Sequence, residues 1–291
     1  MSSDAETKAE GMPMPNARPG SHRSSLPIWR AQIAAIMRLE IRKNFLGKRG
    51  VLIYLLVFGQ VLLAAVAFPQ LPTIRGNIGE ANMVGANMYE GVILRTVVFF
   101  GCAWIFMNLF RGEMVDKSLH YYLLAPVRRE VLLAGKYISG LLVSIVLFTI
   151  ATVGTLFFLY LAVGSPANTQ YLFHGPGLIQ VLSYVEITWL AAAGYGAFFL
   201  IVGLFFRNPI IPAILIYGWE WINFLLPPVL KKISIIHYLH SLTPVPVSEG
   251  PFALVAEPTP AWLAITGLIV VCVVVLLLAA VRIGRLEIKY T

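Results

Sequence analysis

Charged side chains are scarce in this sequence, so the few that cluster carry most of its possible chemistry. The densest cluster is the stretch 111–136, RGEMVDKSLHYYLLAPVRREVLLAGK, set between two long apolar runs. Glu113 and Asp116 stand where a short helix would begin, a place where the helix dipole favours acids. Leu119, Tyr122, Leu123 and the neighbouring Tyr121 continue it with a partly aromatic face at helical spacing. Pro126 ends it, because the residue before a proline is pushed out of the α region. Arg128 and Arg129 follow, placed to complement a helix C-terminus or the acids of another chain. A short helix over about 113–124 is a docking knob for a cytoplasmic protein. The same helix lying on anionic lipid fits the residues equally well.

Three charges fall inside apolar runs, where they are costly and usually face a cavity or a partner. Glu220 lies in the run Trp219-Glu220-Trp221-Ile222-Asn223, Glu186 in a run further upstream, and Arg95 in an earlier one. They are candidates for a polar translocation route or a proton site. The competing reading is structural pairing between helices, for instance Arg95 with one of the glutamates. His237 and His240, three apart, could share a metal, but polar decoration of an interfacial helix suits their surroundings better. No metal site is therefore expected.

Catalysis finds little support. Gly135-Lys136 is followed by Tyr137, and Glu130 stands where the first glycine of a phosphate loop would be. No HExxH motif and no convincing Ser/His/Asp grouping occurs. The expectation is a chain that is not an enzyme and holds no cofactor, with any driving force coming from another chain or an ion gradient.

The elements that position these residues are set by composition. Only 12% of residues are charged and the mean hydropathy is +0.78, whereas soluble folds carry about a quarter charged residues. The apolar runs are apolar on every face, which excludes the alternation of a β-barrel and leaves helices to satisfy the backbone in lipid. Six spans fit: 51–68, 91–110, 137–163, 178–206, 209–230 and 261–281. Eighteen Lys and Arg fall on one side of these spans and four on the other (Arg75, Arg95, Lys231, Lys232). The positive-inside rule then places both termini and the 111–136 insert in the cytoplasm. That asymmetry and anionic lipid account for the net charge of +8, with no basic stripe left over for nucleic acid.

Residues 1–27, polar and rich in Pro, Ser and Gly, predict a disordered cytoplasmic tail without a secretory signal. Over 28–47, Trp29, Ile33, Met37, Ile41 and Phe45 recur every four residues, which predicts a helix in the cytoplasmic interface anchored by Trp29. Arg30 and Glu40 fall within or beside that stripe. The segment of about 231–257 is apolar but carries Pro244, Pro246, Pro251 and Glu249. A seventh crossing there would strand the basic residues of 282–291 outside, so short helices that dip without crossing are expected. Cys102 and Cys272 read as small buried hydrophobes.

Glu113, Lys117-Ser118-Leu119, Leu123-Leu124-Ala125-Pro126-Val127-Arg128-Arg129, Leu132 and Gly135-Lys136-Tyr137 together resemble the signature of ABC-2 type permeases. These are the membrane subunits of a class of ATP-binding-cassette exporters. Ser118 stands where Thr is commoner, and Lys117 where glycine is common. The interfacial helix, six spans and re-entrant segment between spans five and six match that family over most of the chain. The resemblance implies a pair of permease halves, identical or related, bound to two separate nucleotide-binding subunits that hold ATP and Mg. The segment around 113–124 would be the coupling helix in an ATPase cleft, with the interfacial helix bracing it. Spans one, two and five would line the route in a cytoplasmic (inner) membrane, giving Glu220 a place there. An ion-gradient transporter or channel using Glu220, and a membrane subunit that only transmits force, are the rival expectations.

Overall fold

The computed structural model describes residues 25–45, 47, 50–115, 128–206, 208–247 and 259–284. Most of the expected tail, residues 116–127 of the insert, 248–258 of the outer segment and the C-terminal 285–291 lie outside the described residues. Every regular element among the described residues is helical. The protein is an all-α chain with several helices suited to a membrane. Five stretches are long and apolar enough to cross one: Val51–Gln70, Ile78–Met114, Arg129–Val163, Gly177–Phe205 and Ala261–Gly284.

The elements, in chain order, begin with α1 (Ser25–Glu40), prolonged by a π turn over Ile41–Phe45, and α2 (Val51–Ala67). The second apolar stretch is α3 (Ile78–Met88), ten residues of π-helix (Tyr89–Val98) and α4 (Phe99–Val115). Then come α5 (Arg129–Val163), a short α6 (Ala167–His174) and α7 (Gly177–Phe205). The chain closes with α8 (Ile210–Trp221), α9 (Pro228–Lys231), α10 (Ile235–His240) and α11 (Ala261–Gly284).

Three expected spans differ in length: the third starts at Arg129 instead of 137, and the second and fifth differ as well. The second starts near residue 78 instead of 91, because Asn77 caps α3 by accepting from the Glu80 amide at 3.2 Å. Residues 78–90 fall between the first two expected spans. In the fold Gly85 lets Leu159 lie against the backbone, where a Cβ would come within 2.6 Å of Leu159 Cδ2. Asn82 is held by both Tyr171 and Tyr160. The fifth span, expected over 209–230, is shorter. It consists of twelve residues of α8 and a four-residue 3₁₀ turn, Ile222–Leu225. That is about 24 Å of helix at 1.5 Å per residue, against a hydrocarbon core of about 30 Å. Leu226 turns extended ahead of Pro227, as the residue before a proline must.

Helix α7 is the centre of the bundle, packed on α4, α5 and α11. Its core is aromatic: Phe99 meets Tyr195 and Phe199 edge-on at 5.4 and 4.9 Å. With no water in the bilayer, helices approach through small residues and exchange hydrogen bonds. Gln60 on α2 donates to Thr155 on α5 at 2.7 Å, and the Tyr89 hydroxyl donates to the Tyr184 carbonyl at 2.8 Å. Gly203 on α7 touches α4 so closely that a Cβ would sit 2.9 Å from the Met107 backbone. At Gly194 the nearest atoms to a Cβ are side chains 3.8 Å away. Gly203→Ala is expected to destabilise the fold by roughly 1–3 kcal/mol through overpacking, while Gly194→Ala is tolerated. Thermal unfolding of the detergent-solubilised variants checks this, and equal stabilities would contradict the packing described.

Candidate functional site

The side chains at the two ends of the insert meet a third element in one buried cluster. Glu40 ends α1, Glu113 lies in the last turn of α4, and Lys136 is in the second turn of α5. All three are shielded from solvent. The Lys136 ammonium donates to Glu40, sits 2.9 Å from a Glu113 oxygen and also donates to the Leu109 carbonyl at 3.0 Å. Lys43, partly exposed, completes the charge balance 3.6 Å from Glu113. Burial pushes the Glu40 carboxyl above its ordinary range, and Lys136 opposes that shift. Gly135 explains how α1 reaches the site: a Cβ there would meet Ile36 at 3.0 Å. The Gly-Lys pair is therefore a close approach followed by a charge, both directed at α1.

The expected roles at the insert change accordingly. Glu113 does not open a new helix but belongs to the end of α4, and its carboxylate is buried and ion-paired instead of facing outward. Burial with Lys136 is what moves it: α4 continues past the expected end of span two. Arg128 is exposed and lies over the Trp29 ring at 5.2 Å, tying the start of α5 to α1 a second time. Arg129 donates to the carbonyls of Ile283 and Gly284 at 3.1 and 2.8 Å, neutralising the C-terminal end of α11. Asp116, Ser118, Leu119, Tyr121, Tyr122 and Pro126 lie outside the described residues.

Of the route candidates, Glu220 and Arg95 come together, but not as an ion pair. The buried Glu220 carboxylate accepts from Ser234 Oγ at 2.6 Å, from the Ile235 and Ile236 amides at 3.2 and 3.1 Å, and from the Tyr195 hydroxyl at 3.3 Å. It thereby caps the N-terminus of α10, serving the orphan amides that every helix start presents. Arg95 instead donates to the backbone carbonyls of Glu220 and Trp221 at 3.3 and 3.5 Å, and lies 5.7 Å from the Trp221 ring. It complements the C-terminal end of α8. Glu186 joins neither: it is exposed beside Trp189, in a groove between α5 and α7.

No family model and no curated protein matches the chain. The functional reading therefore rests on this geometry.

The two histidines part company. His240 Nδ1 lies 2.7 Å from Glu90 Oε1, which also accepts from Thr243 at 3.4 Å, while His237 Nε2 pairs with Thr259 at 3.2 Å. They do not converge on a shared point, and no cluster of three metal-ligating residues forms among the described residues. The His240 and Thr243 contacts bind this segment to the π-helical stretch that holds both Glu90 and Arg95.

Sequence reasoning missed Glu40, Lys43, Lys136 and Glu90 as functional partners. For Glu40 the signal was present, since it is an acid on the apolar stripe of an amphipathic helix, a placement tolerated only with a buried partner. Glu90 had no comparable signal, because residues 78–90 fall between the first two expected spans.

Two expectations follow. Lys136→Met strands two buried carboxylates, which costs on the order of 3–5 kcal/mol, and adding Glu40→Gln and Glu113→Gln recovers part of that loss. Unfolding midpoints of the single and triple variants measure it; a single variant as stable as wild type contradicts the cluster. Glu220→Ala removes the acceptor for two amides and two hydroxyls, so the yield of monodisperse protein should fall sharply, and less for Glu220→Gln. Undiminished yield for Glu220→Ala would make the capping role wrong.

Proposed function

We propose that this chain is the membrane-spanning permease subunit of an ABC-2 type exporter. It would pair with a second permease half and receive force from separate nucleotide-binding subunits that carry ATP and Mg. The observation that carries this reading is the Glu40–Lys136–Glu113 cluster at the two roots of residues 116–127. A segment pushed by an external engine needs a stiff connection to the spans behind it. Here both roots are fixed to α1 by charge, by the Gly135–Ile36 contact and by the Arg128–Trp29 stack. Insert and interfacial helix would then move as one lever, tilting α4 and α5 together. Two discrete packings biased by nucleotide are what such a stroke requires.

The motif residues support the same reading from the sequence side, since Glu113, Gly135 and Lys136 are the parts of the permease-like signature that build the joint. In this reading the α8 segment is the fifth of six spans, with α9 and α10 as the re-entrant pair. Both termini face the cytoplasm, and the membrane is the inner one. Catalysis belongs to the partner, and the insert's Asp116, Ser118, Leu119, Tyr121, Tyr122 and Pro126 form the docking surface. The Glu220 carboxylate, occupied by four donors, supplies no observation in favour of an ion-gradient mechanism.

The test is whether a soluble ATPase with a phosphate loop is encoded in a neighbouring reading frame and co-purifies with this chain. Replacing Tyr121 and Tyr122 by Ala should reduce the amount of ATPase retained at least several-fold, leaving the permease folded, because aromatic anchors dominate such interfaces. Retention and coupled turnover at wild-type level in that variant would overturn the docking assignment.

A further inference from the structure

Glu186 is the one intramembrane candidate charge that the fold leaves without an internal role. It is exposed on α7, and no described residue makes a hydrogen bond or ion pair with its carboxylate. Arg95 is committed to the end of α8 and Lys231 is buried, so neither serves it. The 29 residues of α7 measure about 43 Å, close to the ~40–45 Å of a bilayer with its headgroups. Glu186 lies nine residues in from Gly177, about 13 Å along the axis. Side chains on a helix lean toward its N-terminus, so this carboxylate leans toward the headgroups of the leaflet on the Gly177 side.

The groove beside it is apolar and one-directional. It measures about 350 Å³ and is lined by Leu141, Ile145, Glu186, Trp189, Leu190 and Ala193. Trp189 is held as a wall by its hydrogen bond to Thr149 at 2.9 Å, which also fixes the register of α5 against α7. Every other lining residue then lies deeper than Glu186: Leu190 and Ala193 further along α7, Ile145 and Leu141 further down the antiparallel α5. A carboxylate at the surface end and an apolar trough running inward match one lipid standing in its leaflet. Toward Gly177 the space between α5 and α7 is a separate pocket lined by Val153, Leu156, Phe157 and Val181, so the lean of the carboxylate toward the headgroups, and not the extent of apolar surface, favours a lipid over a membrane-crossing helix.

We propose that this groove binds a lipid with a primary ammonium headgroup, its ammonium on Glu186 and an acyl chain against Leu190, Ala193 and Ile145. A primary ammonium donates charge-assisted hydrogen bonds that a trimethylated one cannot. The site is independent of the ATPase coupling, so its failure leaves the permease reading untouched.

The experiment is native mass spectrometry of the delipidated full chain, titrated with dioleoyl lipids bearing ethanolamine, choline or glycerol headgroups. Wild type should retain the ethanolamine lipid about tenfold better than the choline lipid, a difference of about 1.4 kcal/mol. Glu186→Gln, an exposed change that spares the core, should erase that preference. Ala193→Phe, which fills the trough, should lower retention of ethanolamine and choline lipids alike. Equal retention in wild type, or a preference that survives Glu186→Gln, overturns the proposal. So does a basic membrane-spanning chain that co-purifies stoichiometrically and is lost in Glu186→Gln while the lipids stay undiscriminated.

Discussion

A charge taken out of water must find its opposite, and at Lys136 that requirement organises the end of the protein where the insert is rooted. Its ammonium is fully buried with two carboxylates, one from α1 and one from α4. Removing any member would leave an uncompensated charge in a dry site, a larger cost than the pair's own net gain. The cluster therefore acts less as a source of stability than as a specification of position. It fixes which turn of α1 lies over which turn of α5, and Gly135 clears the space for that contact.

The same logic recurs along the chain. Glu220 settles the start of α10, Arg95 the end of α8, Arg129 the end of α11, and Glu90 holds the outer segment through His240. Each polar side chain meets a backbone end or a charge that lipid could not have satisfied. Hydrophobic packing alone would leave helices free to slide, since lipid tails are as apolar as Leu. Paired polar groups remove that freedom at chosen levels and leave the apolar helices between them as rigid rods. An insert rooted in such rods can pass on a displacement instead of absorbing it.

The apolar class, the long helices and the amphipathic α1 were legible in the sequence, because each is a local property of composition or period. What was illegible depends on pairing across distance. Glu113 read as a helix start because α4 was expected to end at 110, and nothing local announces Lys136 23 positions on or Glu40 73 positions back. Glu220 read as a route residue because a lone acid in an apolar run carries no mark of the four donors that fold onto it. Residues 78–90 fall between the first two expected spans, and Leu159, Tyr160 and Tyr171 supply the packing that makes them helix. The Gly-Lys pair was visible as a motif, and only the position of Ile36 and Glu40 gave it a physical reason.

In the proposed exporter, force entering at residues 116–127 would reach the spans through α1 and the Lys136 cluster. Hydrogen exchange over residues 25–45, in a complex with the proposed nucleotide-binding subunit, is the measurement that decides it. ATP should change exchange in α1 and at the start of α5 together, while the segment around α10 responds separately. Exchange in α1 that is indifferent to nucleotide, in a complex that hydrolyses ATP, would contradict it.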